Sequence, residues 1–305
     1  MKSSWKSRFK GSTTSMLRNR RSHLGGRGRP LTRSCLLFLL LLVGLCGCVS
    51  PMGRFADGLT NGVGRCPDLN IARDGIPACI LMIESSLSTS PDDPQLLRAA
   101  GDLYSFYGVH LIKDEKSARR MTQHALEYTL RAAGADIPGI EDARKMDFEV
   151  FEAIVSRAGK SDVPALFSLG SVWMDWIRVR KDDLDAIADL SKIETIMEGV
   201  VRLDATYRAG AAYFYLALLA AWQPAEDGVV EAHFRRAIAA ADGKSLMPSV
   251  FHALWLRDMD DARRCQQLLQ GIVESGMPDA PAYTLINQLA LEKAQQALAD
   301  LDAHE

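Results

Sequence analysis

The side chains able to do covalent or acid–base chemistry are scattered through this sequence, not clustered by spacing. Its six histidines, His23, His110, His124, His233, His252 and His304, include no HExxH and no pair at helical spacing, and no CxxC accompanies them. Zinc is held by three or four such ligands in close spacing, so no metal site is expected, and no cofactor of another kind. A Walker A loop, a GxGxxG turn opening a helix and a GxSxG elbow are all missing. The adjacent carboxylates Asp92-Asp93, Asp182-Asp183 and Asp260-Asp261 fall at turns or helix starts. There a carboxylate complements the helix dipole, so they read as helix caps, not as acid–base pairs. No catalytic residue is assigned, and the chain is read as a non-enzyme.

Cysteine chemistry is more informative. Residues 1–48 carry ten Lys or Arg and no Asp or Glu, and they end in the 13-residue apolar run Cys35–Gly47. That run is too short to span a bilayer, which takes about 20 residues, but it suits the core of an export signal. Leu45-Cys46-Gly47-Cys48 resembles the lipobox of bacterial lipoproteins. The resemblance implies removal of residues 1–47 and attachment of palmitate-type acyl chains to Cys48. Val49 and Ser50 after it point to the periplasmic face of the outer membrane. Of the other cysteines, Cys66 and Cys79 suit a disulfide in an oxidising compartment, while Cys79 in IPACILMI equally suits a buried thiol. Both readings stay open.

These residues must be carried by a body of opposite charge. Removing the ten N-terminal bases from the chain's 36 leaves 26 against 38 acidic residues, a net charge of −12 over residues 49–305. Such a body has no sequence-independent grip on nucleic acid. Residues 48–70, with Gly53, Gly58, Gly62 and Gly64, read as the lipidated cysteine and a flexible tether. From residue 71 to 305 apolar residues recur at three- and four-residue spacings, which predicts one all-α domain. Helices are expected near 76–88, 94–111, 115–133, 141–158, 163–179, 192–203, 206–222, 227–241, 246–256, 259–275 and 280–300. Gly134, Gly159 and Gly243 are expected as left-handed caps.

Three segments share one spacing: Leu97, Ala100, Gly101, Tyr104; Leu166, Leu169, Gly170, Trp173; and Thr206, Ala209, Gly210, Tyr213. This resembles the first helix of a tetratricopeptide hairpin, in which Gly admits the neighbouring helix. Second-helix positions follow the last two, as Ile193, Met197, Val200 and as Val230, Phe234, Ala237. The intervals are irregular, so the prediction is an α-superhelix of irregular tetratricopeptide-like hairpins. In such hairpins the positions flanking the glycine face a concave groove. Here they include Met174, Asp175, Tyr207, Phe214 and Tyr215, with Phe167 and Phe106, a set suited to an apolar ligand with few polar anchors.

A more specific likeness lies in the order of SPDDPQLLRAAGDLYSFYG (90–108), LFSLGSVWMDWI (166–177), the stretch 193–224, EAHFRRAIAAADGKSL (231–246) and YTLINQLALEKAQQAL (283–298). In these the chain resembles the TatT proteins, T components of tripartite ATP-independent periplasmic (TRAP) transporters. One departure is that Gly228 is followed by Val229 where the family pattern has a second Gly. The resemblance implies a membrane-anchored accessory protein that partners a periplasmic solute-binding protein, forms a homotrimer and offers a groove or pore to a small ligand. The alternative reading is a tetratricopeptide-like scaffold lipoprotein for envelope protein assembly.

Overall fold

The computed structural model describes residues 51–223 and 226–303. The export signal over 1–47, the lipid attachment at Cys48 and residues 224–225 of the loop before Gly228 lie outside the described residues. The described chain is all-α: α1 (Pro51–Gly64), α2 (Leu69–Leu87), α3 (Pro94–Phe106), α4 (Glu115–Asp136), α5 (Phe148–Arg157), α6 (Val163–Arg178), α7 (Leu184–Ile187), α8 (Leu190–Asp204), α9 (Ala211–Trp222), α10 (Asp227–Ala241), α11 (Met247–Asp258), α12 (Ala262–Ser275) and α13 (Thr284–Asp302). A π-helical turn, Tyr107–Leu111, extends α3.

Aspartates start many of these helices. Asp68, Asp93, Asp114, Asp183 and Asp261 each accept a backbone N–H of the first turn of α2, α3, α4, α7 and α12. The second member of each acidic pair is therefore a cap, a role contributing about 1 kcal/mol. Asp92 and Asp182 instead pair with Arg131 and Arg119.

The hairpins form where the glycines predicted. A Cβ on Gly101 in α3 would overlap Thr129 Oγ1 of α4 and lie 3.1 Å from the Ala125 carbonyl. On Gly170 in α6 it would lie 2.7 Å from Met197 Cε and 2.8 Å from Ile196 Cγ2 of α8. On Gly210 it would overlap Ala240 of α10. Ile193, Met197, Val200, Val230, Phe234 and Ala237 are buried at these seams. In the third hairpin the signature is not helical, however. Arg208, Ala209 and Gly210 have φ of 46°, 55° and 68°, a left-handed turn, and α9 begins only at Ala211.

Two further expectations are corrected. The tether does not hold for Pro51–Gly64, which is helical, buries Ala56 and packs against α2 and α3. Its glycines permit contact: Gly53 meets the Gln95 side chain, and a Cβ on Gly64 would lie 3.3 Å from the Ala282 carbonyl. Of the three glycine caps only Gly243, φ 70°, is left-handed; Gly134 lies within α4, and Gly159 is extended with φ −105°.

That contact at Ala282 belongs to a larger closure. One core cluster unites Ile76, Ile83 and Leu96 near the beginning with Val250, Leu269 and Ala290 near the end. The other holds Phe151, Leu166, Trp173, Met197 and Phe234 in the middle. Because α13 packs on α1 and α2, the stack of hairpins returns on itself. The first helices α3, α6 and α9 are thereby brought side by side.

Candidate functional site

The α3–α6 seam carries two carboxylates. Ser105 donates to Asp175 Oδ2 at 2.8 Å, and Arg178 Nη1 pairs with Asp175 Oδ1 at 3.1 Å. One turn earlier on α3 and two turns earlier on α6, Ser168 donates to Asp102 Oδ1 at 2.6 Å. Arg208, held by the left-handed turn, reaches Asp102 Oδ2 at 3.5 Å and lies 5.4 Å over the Phe167 ring. Left-handed φ at non-glycine residues costs energy that the surrounding contacts must supply. Here those contacts tie the turn to α3 and α6.

Aromatic rings adjoin this polar seam. Phe167 meets Tyr207 at 5.4 Å and Tyr215 at 5.8 Å, both edge to face. Phe214 lies 5.6 Å from Tyr215 and 5.3 Å from Phe251 of α11. Such edge-to-face pairs contribute about 0.5–1.5 kcal/mol each beyond burial. The cluster thus joins three hairpins.

Asp175 and Tyr215 are withdrawn from solvent, and their titration behaviour follows from that. Burial raises the Asp175 carboxyl above the ordinary range, while Arg178 and Ser105 pull it back. Burial and then Asp175 push the Tyr215 hydroxyl well above its usual value. Burial, Arg178 and Lys293 hold His110 well below the usual imidazole value, so it is neutral near pH 7. Lys293 of α13 is lowered by burial and by Arg178. His110 also sits 5.0 Å from the Phe106 ring.

Of the residues assigned to the groove from sequence, Asp175 is 8% exposed, and Tyr207, Phe214 and Tyr215 are half-buried and share one cluster. Met174 is different. It is fully buried in the core, one turn after Gly170, on the stripe that meets α8. It is no wall of a groove. The cysteines stand apart from the site: Cys66 and Cys79 are free thiols with no disulfide between them, and the Cys66 thiol donates to the Asp68 carbonyl at 3.3 Å. Burial raises the Cys79 thiol.

Sequence reasoning missed Ser168, Arg178, Arg208, His110, Lys293 and Phe251. Arg178 had a signal, since it stands three residues after Asp175 on a helix. Lys293 and Phe251 had none, because they arrive from distant helices.

The family model for the TRAP transporter T-component matches residues 66–304, taking in every helix from α2 to α13. The chain belongs to this family. No curated protein matches the chain. This T-component is therefore an accessory of TRAP-type transport acting in the cell envelope. Among its described residues no helix is long and apolar enough to cross a membrane. The α3–α6–α9 seam sets aromatic faces beside the Ser105–Asp175–Arg178 chain.

Proposed function

We propose that this T-component docks a periplasmic solute-binding protein and takes from it a small, largely apolar ligand into the groove formed by α3, α6 and α9. The observation that carries the reading is the clustering of Phe167, Tyr207, Phe214 and Tyr215, with Tyr215 in the field of the buried Asp175 and its partner Arg178. Ligand sites are mostly apolar with a few placed polar groups that fix orientation. An extended peptide would instead need backbone-pairing groups along an open channel.

In this proposal the ligand lays its apolar part against the rings and its polar end on Arg178 and the Tyr215 hydroxyl. The protein is anchored by acyl chains at Cys48 to the periplasmic face of the outer membrane and assembles as a trimer. The test is co-purification with the solute-binding protein of the same TRAP system, with wild type and with Asp175→Ala. Stoichiometric association supports the reading. Failure to associate, together with capture of envelope-assembly proteins by the wild type, replaces it with the scaffold reading.

A further inference from the structure

We infer that the open recess between the first turns of α4 and the end of α6 is an oxyanion site, in which Arg180, Arg120 and Lys116 hold a phosphate group. This inference does not rest on the transport reading. The recess measures about 670 Å³ and is lined by these three residues together with Arg119, Gln123 and His124, and by Asp114 and Glu115 at the α4 start.

Arg180 is its built element. The residue is 8% exposed. Its Nη1 donates to Thr122 Oγ1 at 2.9 Å and to the Trp176 carbonyl at 3.0 Å, and its Nη2 donates to the Arg119 carbonyl. All three acceptors are neutral. The guanidinium is further fixed 4.4 Å over the Trp176 ring, which also carries Arg144 at 4.1 Å. A buried charge is normally paired, because desolvation without an opposite charge is costly. Arg180 forms no ion pair among the described residues.

Four carboxylates stand nearby. Glu115 and Asp182 both hold Arg119, at 2.9 and 2.7 Å. Asp114 caps α4 through the Ser117 N–H and lies in the field of Arg120 and Lys116, and Asp183 caps α7 and lies in that of Arg180. His124 leans toward Glu127 at 3.8 Å. Arg120 donates to the Ser117 hydroxyl at 2.9 Å, and among the described residues neither it nor Lys116 forms an ion pair. These two stand four residues apart on α4, a like-charge spacing that disfavours a helix.

Lys116, Arg120 and Arg180, which form no ion pair among the described residues, thus line one recess on a body whose net charge over residues 49–305 is −12. A phosphate group gives these cations a shared anionic partner and accepts several charge-assisted hydrogen bonds at once. It could arrive as the free anion or as a phospholipid headgroup.

The experiment titrates inorganic phosphate, and separately dihexanoyl-phosphatidylglycerol below its micelle concentration, into the purified protein at low ionic strength. Phosphorus NMR follows binding. Saturable binding is expected, weakening as salt is added and falling about tenfold in Arg180→Gln and in the exposed double variant Lys116→Gln/Arg120→Gln. Tighter binding of the free anion assigns that source, and tighter binding of the ester assigns a headgroup; either upholds the site. No saturable binding of either probe, or full affinity in the double variant with its helical circular dichroism intact, overturns it.

Discussion

Ser105 of α3 and Asp175 of α6 stand 70 residues apart in the chain and hydrogen-bond at 2.8 Å between two neighbouring hairpins. The bond sets one hairpin against the next at the point where the aromatic cluster begins. Ser105→Ala should cost about 1 kcal/mol, the net value of one such bond. Asp175→Ala should cost more, about 2–4 kcal/mol, because it also strands Arg178. Urea unfolding followed by circular dichroism checks both, and equal effects would show that the Arg178 pair contributes nothing.

The glycines divide into those that touch and those that do not. Gly170→Ala places a methyl against Met197 and Ile196 and should destabilise by about 1–3 kcal/mol. Gly271, within α12, meets nothing inside 4 Å, so Gly271→Ala should stabilise by roughly 0.5–1 kcal/mol through helix propensity. Thermal melting of the two variants should move in opposite directions.

Acid should weaken the fold before the carboxylates titrate. Burial lowers the pKa of His110, His233 and His252 below the usual imidazole value. In the unfolded chain these groups take up protons near pH 6.5, where the folded protein does not. Their contribution is complete above that pH and is lost as pH falls through it toward the lower folded values. Asp175, raised by burial, acts oppositely. His252 stacks on Phe234 at 5.4 Å, and its Nε2 is buried without a partner. Unfolding free energy measured at pH 7.5 and pH 5.5 should fall for wild type and fall less for His252→Phe, whose ring fits the same stack.

Glu84 accepts from both Tyr104 and Tyr128, at 2.9 and 2.8 Å. Burial first and then Glu84 push the Tyr128 hydroxyl up to about 12. In Glu84→Gln the raised tyrosine titration should move back toward its usual value near 10. Absorbance titration at 295 nm reads this directly, and an unchanged curve would discount the Glu84 contribution.

Much of this architecture was legible in the periodicity. The helix over Asp227–Ala241 fell at the expected residues because an acidic start and an Asp242-Gly243 end punctuate it. Gly101 and Gly170 announced close helix contacts for a steric reason that operates locally. Helix α1 was hidden because four glycines look like a tether unless one knows that Gly53 abuts Gln95 and Gly64 abuts Ala282. The α9 start was hidden because left-handed φ at Arg208 and Ala209 is imposed by tertiary contacts, against the preference of those residue types. Tyr207, Phe214, Tyr215 and Asp175, picked out by repeat register, do gather at one seam. Met174 was misplaced by the same register, since α6 turns that position toward α8. Arg178 was readable three residues after Asp175 on α6, whereas Lys293 and Phe251 come from helices distant in the sequence.

The most direct test of the groove is to purify the protein, extract what it carries and identify it by mass spectrometry, then repeat with Tyr215→Ala and with Met174→Leu. The account predicts a small, largely apolar molecule bound by wild type, retained by Met174→Leu because that residue is core, and lost or much reduced in Tyr215→Ala. Wild type that carries nothing and takes up no solute offered by its solute-binding protein would contradict it.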